Sequence, residues 1–523
     1  MKILVLKRFL PAPLNAVLAF LSAILLVLAF PGFEFWFLAW FALAPLFYAV
    51  EREKESIVKS LFVGWIFGTY FFFGSCWWLT FAPITYAGFP GLLAYLLLFG
   101  AAAAVGFFPA IFAALFSILL KRFGNYAILF APFLWTAIEF LRFWTTGNNW
   151  NAIAYSQAFE TFFVQWASIG GIYLVGFILV FFNALSGCYL ITKSKNSGYL
   201  LAGLPFLFIT VSLYSSTNQS YQIEKEKQAF VVAVQPNVPM NGLDYGKYQQ
   251  LRQKHIELAE NALQKVQRTT NNEQSTIVIF PESPMNFMYS EDTEFQEFVR
   301  AFASKNNVQA LFNAAEPDAE NKKYYNSAVM VDATGEKIAQ YDKIYLVPFG
   351  ESVPAPLQNI MPALVGSFSY GKEYDLLSFG DAKAGVMICF ESHFPNLSRE
   401  FVRRGADVLV EMTNDGYLGK TPVLRQHLAN AVFRAVETNR PVLRVTNVGI
   451  TAYINERGEV TDAADSYTEA TRIWTVAKSD GKQTFYVKYG DWFSWLCSLV
   501  SLILIIWSLF LTQRRKDAEA QSL

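Results

Sequence analysis

Hydrophobic positions along this chain follow two different rhythms. Over roughly the first 215 residues they form long runs, near Pro13–Phe30, Phe35–Val50, Leu61–Leu79, Gly91–Leu120, Ala127–Phe143, Phe162–Ile191 and Leu200–Tyr214, and an eighth run extends from Phe493 to Leu511. Most are long enough to cross about 30 Å of hydrocarbon as helices, the second and seventh being short. The first run follows Lys2, Lys7 and Arg8, as a secretory leader would, but no small-residue cleavage site comes after it, so it reads as a retained helix. From about Tyr221 to Tyr489 the pattern shortens to β-rich runs alternating with helical periodicity. Phe230–Val234, Thr276–Phe280, Gln309–Asn313, Ala384–Ile388, Asp407–Glu411 and Val442–Thr446 predict strands. Asn326–Val331 and Lys337–Tyr341, joined through Ala333-Thr-Gly-Glu336, predict a hairpin. Helices are predicted at Lys247–Val266, Thr293–Ser304, Asn396–Arg404 and Pro422–Asn439. This alternation implies an α/β sheet domain with helices covering the sheet faces.

Composition supports the same division. The 523 residues are 54% hydrophobic, with 50 Phe and 13 Trp, and carry no net charge, which excludes nucleic-acid binding through a broadly basic surface. The expected organisation is a seven-span membrane domain over 1–220, a soluble domain over 221–489, and a last span with a polar tail over 490–523, giving eight transmembrane helices. Basic residues supply the orientation. Lys2, Lys7 and Arg8, then Arg52, Lys54 and Lys59, then Lys121 and Arg122, then Lys193 and Lys195, and finally Arg514, Arg515 and Lys516 fall on one side. The loops Thr80–Pro90 and Thr145–Thr161 on the other side hold no Lys or Arg. Both termini are therefore expected in the cytoplasm, and the soluble domain outside it.

Candidate chemistry collects where predicted strands end, the edge at which parallel sheets gather ligands. Ala384–Ile388 runs into Cys389-Phe390-Glu391, and Thr276–Phe280 into Pro281-Glu282-Ser283. The hairpin's second strand runs into Asp342-Lys343, with Pro348-Phe-Gly-Glu351 after it, and Asp407–Glu411 leads to Thr413-Asn414-Asp-Gly416. Cys76, Cys188 and Cys497 lie in apolar runs, so Cys389 is the one thiol of the soluble domain. A thiol, an ammonium and a carboxylate make a complete set for acyl transfer. The thiol is mostly un-ionised at neutral pH and needs a base, a partly buried glutamate can take its proton, and a lysine beside a backbone N–H can hold an oxyanion. Taken singly, each has a plainer reading, Cys389 as core, Glu282 as a turn residue and Lys343 as a solvated charge. His255, His393 and His427 leave a Cys–His pair open. No His/Cys cluster has metal-ligand spacing, and no Gly-rich phosphate loop is present. In the membrane part, Glu139 and Arg142 stand three apart at the end of the fifth run. They read either as a lipid-headgroup contact or as an ion pair capping the helix.

Pro281-Glu282-Ser283, Tyr341-Asp-Lys343 with Pro348-Phe-Gly-Glu351, and Ile388-Cys389-Phe-Glu391 resemble the Glu-Lys-Cys motifs of the nitrilase (carbon–nitrogen hydrolase) superfamily, whose fold is an αββα sandwich. Seven spans, such a domain and one last span resemble a narrower bacterial family, the apolipoprotein N-acyltransferases. Val234-Gln-Pro, Glu139-Phe-Leu-Arg142, Gln426-His427-Leu, Arg434-Ala-Val-Glu437 and Arg444-Val-Thr-Asn-Val-Gly449 agree with it. The resemblance implies an enzyme of the bacterial inner membrane that uses no cofactor or metal. Glu282 would deprotonate Cys389, whose thiolate attacks the sn-1 ester of a phospholipid, typically phosphatidylethanolamine. Lys343 and the Phe390 N–H would hold the oxyanion, with Glu351 and Glu391 in support. The thioester would then pass its acyl group to the α-amine of a diacylglyceryl-cysteine at an apolipoprotein N-terminus. Substrate contacts are implied at Tyr245, Asn414, Tyr417, Glu139 and Arg142. The chain departs from the family pattern at Phe390, usually Tyr, at Gly416-Tyr417, usually Ala-Trp, at Tyr245, which stands for a loop Trp, and at Gly147-Asn-Asn-Trp150. A membrane-anchored amidase would share the triad, whereas a transporter would show paired charges at the bilayer midplane.

Overall fold

The computed structural model describes residues 9–196, 198, 227–242, 245–267, 275–282, 288–353 and 367–521. The chain divides into two compact units, 1–221 with 491–523, and 222–490.

Among the described residues, five helices of the first unit are long and apolar enough to cross a membrane: Ile57–Ser75, Gly91–Phe123, Asn125–Thr146, Ala167–Thr192 and Trp492–Leu511. They coincide with the third, fourth, fifth, sixth and eighth hydrophobic runs. The first run forms a shorter apolar helix, Pro13–Ala29. The second, expected as one helix, is two pieces, a 3-10 turn at Trp36–Trp40 and a helix at Ala44–Glu53. Pro45 explains the restart, because it has no N–H to donate backwards yet is preorganised for a first turn. Pro109 likewise cannot bond back to Val105, and the fourth run is split into Gly91–Val105 and Phe107–Phe123. The sixth is interrupted at Gly170–Gly171, where Gly171 has φ of 65°. The seventh run, Leu200–Tyr214, lies outside the described residues.

The second unit holds two sheets. The strands of the first are β1 (Lys227–Gln235), β2 (Ser275–Ile279), β3 (Gln309–Asp318), β4 (Lys323–Val331), β5 (Lys337–Asp342), the short β6 (Phe368–Ser369) and β13 (Ala470–Ala477), in the order β13-β1-β2-β3-β4-β5 with β6 on β4. The second contains β7 (Leu376–Phe379), β8 (Ala382–Ile388), β9 (Val408–Thr413), β10 (Val442–Thr446), β11 (Ala452–Ile454) and β12 (Val460–Thr461), in the order β12-β11-β10-β9-β8-β7. Each sheet has a parallel centre, β1-β2-β3 or β8-β9-β10, flanked by antiparallel strands. The parallel centres point the carboxyl ends of β2, β8 and β9 to shared edges, which is what positions the candidate site.

Helices Tyr245–Gln267 and Thr293–Asn306 pack on the first sheet, and Pro395–Arg403 and Val423–Thr438 on the second, while the sheets face each other. The order helix, sheet, sheet, helix matches the expected αββα sandwich. The outer core on the first sheet joins Val232, Val278 and Val329 to Leu263, Phe295 and Phe302. β9 and β10 are buried along their full length, the pattern of strands covered on both faces. At Gly385 a Cβ would lie 2.6 Å from Phe401, so the absence of a side chain lets the helix seat on β8. The sheets are also joined through Gln235, whose side-chain oxygen accepts from Thr446 Oγ1 at 3.1 Å and Thr451 N at 3.2 Å.

Candidate active site

β8 delivers Cys389 at its carboxyl end, where the chain turns sharply into a 3-10 segment, Cys389–His393. Cys389 has φ of 51°, a left-handed conformation that costs a residue with a Cβ roughly 1–2 kcal/mol, so the surrounding contacts must impose it. Glu391 supplies several. Its Oε1 accepts from Ile344 N at 2.7 Å, Tyr345 N at 3.1 Å and Tyr341 Oη at 2.8 Å, and its Oε2 accepts from Ile388 N at 2.8 Å. Burial pushes the Glu391 carboxyl up to about 7, against the pull of these donors. The same carboxylate ties the loop after β5 to the elbow after β8, which fixes Lys343 relative to Cys389.

Lys343 is fully buried. Its Nζ lies 2.9 Å from Glu351 Oε1 and 3.6 Å from Glu282 Oε1. Burial works against its charge, but the two carboxylates outweigh that and hold it above the ordinary lysine value. Glu282, just beyond β2, accepts from Asn326 Nδ2 at 3.0 Å and from Asn414 N at 3.2 Å, and it is within hydrogen-bonding reach of the Cys389 thiol. Burial raises the Glu282 pKa, with Lys343 opposing and Glu351 assisting. Burial and the Glu282 charge lift the thiol well above its usual value, against the pull of Lys343. The resting pair is therefore a thiol held un-ionised beside a carboxyl group of raised proton affinity. That carboxylate is suited to take the proton as the sulfur attacks.

Glu282, Lys343, Cys389, Glu351, Glu391 and Asn414 are thus brought together by the ends of β2, β5, β8 and β9. The half-buried Phe390 packs its ring edge-on against His393 and Phe394, at 4.9 Å and 5.2 Å between centroids. Tyr417 lies half-buried in the turn Asp415–Leu418. Tyr245 opens the helix Tyr245–Gln267, and its side chain lies outside the described residues. Glu139 and Arg142 belong to the first unit, where Glu139 Oε1 accepts from Ile153 N at 3.0 Å. Arg142 Nη1 donates to Trp150 O at 2.9 Å and its guanidinium lies over Phe72. Both bonds hold the segment after the helix.

The open Cys–His pairing takes a different form. The His427 nitrogen nearest to Cys389 faces its carbonyl oxygen, at 3.1 Å. Burial and the neighbouring His427 hold His393 well below the usual histidine range. Asn326 was missed from sequence. Its Nδ2 bonds both Glu282 and Glu351 (2.6 Å), and Asn313 Nδ2 donates to its Oδ1 at 2.6 Å. The signal was present as two asparagines, Asn313 and Asn326, set among apolar and small residues within their strands.

A membrane unit joined to an αββα sandwich whose strand ends gather a thiol, an ammonium and carboxylates defines a membrane-bound member of the carbon–nitrogen hydrolase class. The carbon–nitrogen hydrolase family model matches residues 231–486, and the model for the apolipoprotein N-acyltransferase N-terminal domain matches residues 22–185. An apolipoprotein N-acyltransferase of Geobacter metallireducens is 30% identical over 494 residues, covering 92% of this chain and 92% of its own length. One from Thermotoga maritima is 31% identical over 96% of this chain and 94% of its own, and one from Pasteurella multocida 28% identical over 93% and 94%. This chain belongs to the apolipoprotein N-acyltransferase family.

Proposed function

We propose that this chain takes an acyl group from the sn-1 position of a phospholipid, typically phosphatidylethanolamine, holds it as a thioester on Cys389, and passes it to the α-amine of the diacylglyceryl-cysteine at an apolipoprotein N-terminus. The observation that carries the reading is a fully buried ammonium, Lys343, set between Glu282 and Glu351 beside a strand-end thiol. Glu282 accepts the thiol proton as sulfur attacks the ester carbonyl. Lys343 and the Phe390 N–H stabilise the developing oxyanion, where one donor is worth roughly 10²–10³ in rate. Collapse breaks the ester C–O bond, and the proton on Glu282 passes to the departing lysophospholipid oxygen. The acceptor amine then attacks the thioester, loses its proton through Glu282, and expels the thiolate, which is reprotonated. Glu351 and Asn326 keep Lys343 and Glu282 aimed, and Glu391 holds the elbow. Asn414, Tyr417, Tyr245, Glu139 and Arg142 are the proposed substrate contacts.

Eight spans, with both termini cytoplasmic and the catalytic unit outside, complete the reading. The clusters at Arg52–Lys59 and Lys121–Arg122 beside the apolar helices support it, as do the alternate loops that hold no Lys or Arg. A membrane setting suits two lipid-anchored substrates that need not leave the bilayer. The test is incubation of the purified protein with acyl-labelled phospholipid. A hydroxylamine-sensitive label is expected on Cys389 and absent from Cys389→Ala, and a diacylated lipopeptide should discharge it. Label that never forms sinks the mechanism, and label lost to water but not to lipopeptide identifies an amidase instead.

A further inference from the structure

Beneath the Cys389 elbow lies a second buried group of charges that the acyl-transfer steps do not use. Glu411 on β9, Asp415 just after it, His427 on the helix Val423–Thr438 and Arg444 on β10 are all withdrawn from solvent. Arg444 Nη1 lies 2.5 Å from Glu411 Oε2, and its Nη2 donates to Asp415 Oδ2 at 2.8 Å. His427 Nδ1 lies 2.7 Å from Asp415 Oδ1, while its Nε2 lies 3.1 Å from Glu411 Oε1 and 3.1 Å from the carbonyl oxygen of Cys389.

We infer that His427 is a positioning residue for acyl transfer, a doubly protonated imidazolium that holds the strained Cys389 elbow by donating to its carbonyl oxygen while Glu411, Asp415 and Arg444 keep it charged and aimed. Each of these contacts presents an oxygen acceptor to the ring. A neutral imidazole would turn a lone pair toward one of them, whereas the imidazolium supplies a proton to both sides. With two carboxylates, one guanidinium and one imidazolium, the group is neutral as a whole, which a fully buried cluster requires. The other charged or titratable groups nearby are His393, whose ring centroid is 5.2 Å away, Arg434 on the same helix, and the Cys389 thiol. Burial and Arg444 oppose the His427 charge, but Asp415 and Glu411 outweigh them and raise its pKa to about 9.

The cluster reaches the base as well as the nucleophile. Asp415, pinned by Arg444 and His427, follows Asn414, whose N–H donates to Glu282. Gly449 makes room for it, since a Cβ there would lie 2.0 Å from Asp415 Oδ2. One rigid group therefore holds the carbonyl behind the thiol and the amide in front of the glutamate. Misplacement of reacting groups by about an ångström costs up to ~10²-fold in rate.

The inference rests on Cys389 being the nucleophile, and the experiment separates the two. The rate of thioester formation from acyl-labelled phospholipid, without acceptor, is followed in the intact membrane protein from pH 6 to pH 10. The unaltered protein should lose rate above about pH 9, as His427 gives up its second proton. His427→Gln should form the same label at least about tenfold more slowly, with a lower kcat, a little-changed KM and no alkaline limb. Asp415→Asn should move the limb to lower pH. A wild-type rate that stays flat all the way to pH 10 overturns the proposal without any variant. So does a His427→Gln protein that keeps both rate and limb. Absence of label at every pH instead removes the reading of Cys389.

Discussion

Two buried ionic groups flank Cys389, and they differ in charge balance. Glu282, Lys343 and Glu351 set one cation against two carboxylates, with a thiol in reach of the surplus charge. Glu411, Asp415, His427 and Arg444 set two cations against two carboxylates. Surplus negative charge in a dry site raises proton affinity, which suits Glu282 in the first group to accepting a proton. The balanced group has no such incentive, and its proton exchange waits for alkaline pH. Reactivity and rigidity, placed a few residues apart, thus follow from whether the charges cancel.

Substitutions can break the contrast from either side. The largest expected effect is on chemistry. Glu282→Gln should slow thioester formation about 10³-fold, equivalent to about 4 kcal/mol of barrier, while the Tm in detergent stays near wild type. Equal losses of stability and rate would mean that the two groups are not distinct. Arg444→Met should show the reverse balance, because it strands Glu411 and Asp415 without their buried partner and destabilises the fold by about 3–5 kcal/mol. Adding Glu411→Gln should recover part of that loss in the same melting experiment.

A pH series sharpens the comparison further. His427 has a folded pKa of about 9, raised above its unfolded value near 6.5. Its contribution is fully present below about pH 6.5 and is lost as pH rises through about 9, a decline of about 3 kcal/mol in all. Denaturant titrations of the intact protein should show that slope, and His427→Gln should flatten it. The smallest effect expected is for Glu391→Gln. An amide can accept at one oxygen but must turn its NH₂ toward Ile388 N or the β5 loop donors, costing about 1–3 kcal/mol. Thioester formation by folded Glu391→Gln protein should fall less than for Glu282→Gln.

Much of the architecture was legible in the sequence because its elements are strongly periodic. The predicted strands at Thr276, Ala384 and Val442 and the hairpin at Asn326–Tyr341 formed with small shifts at their ends, and the strand at Gln309 runs on to Asp318. The short strands β6, β7, β11 and β12 were missed, since two to four residues carry too little pattern. β13 was missed as well, although longer, because only two of its eight positions are buried, and apolar content is a weak guide there. Phe35–Val50 looked like one continuous helix because hydropathy counts apolar residues and does not weigh what Pro45 does to the backbone.

The sequence by itself determined which segments are helix, strand or apolar run, and which strand ends carry a thiol, an ammonium and a carboxylate. These are local properties, set by side-chain alternation and turn chemistry within a few residues. Only the tertiary structure decided that Lys343 lies between Glu282 and Glu351, that Asn326 bridges the same two carboxylates, and that His427 meets the carbonyl of Cys389 instead of its thiol. Those relations join residues 8 to 61 positions apart in the chain. They arise from which strand ends and covering helices lie side by side within each layer, and no periodicity along a single segment encodes them.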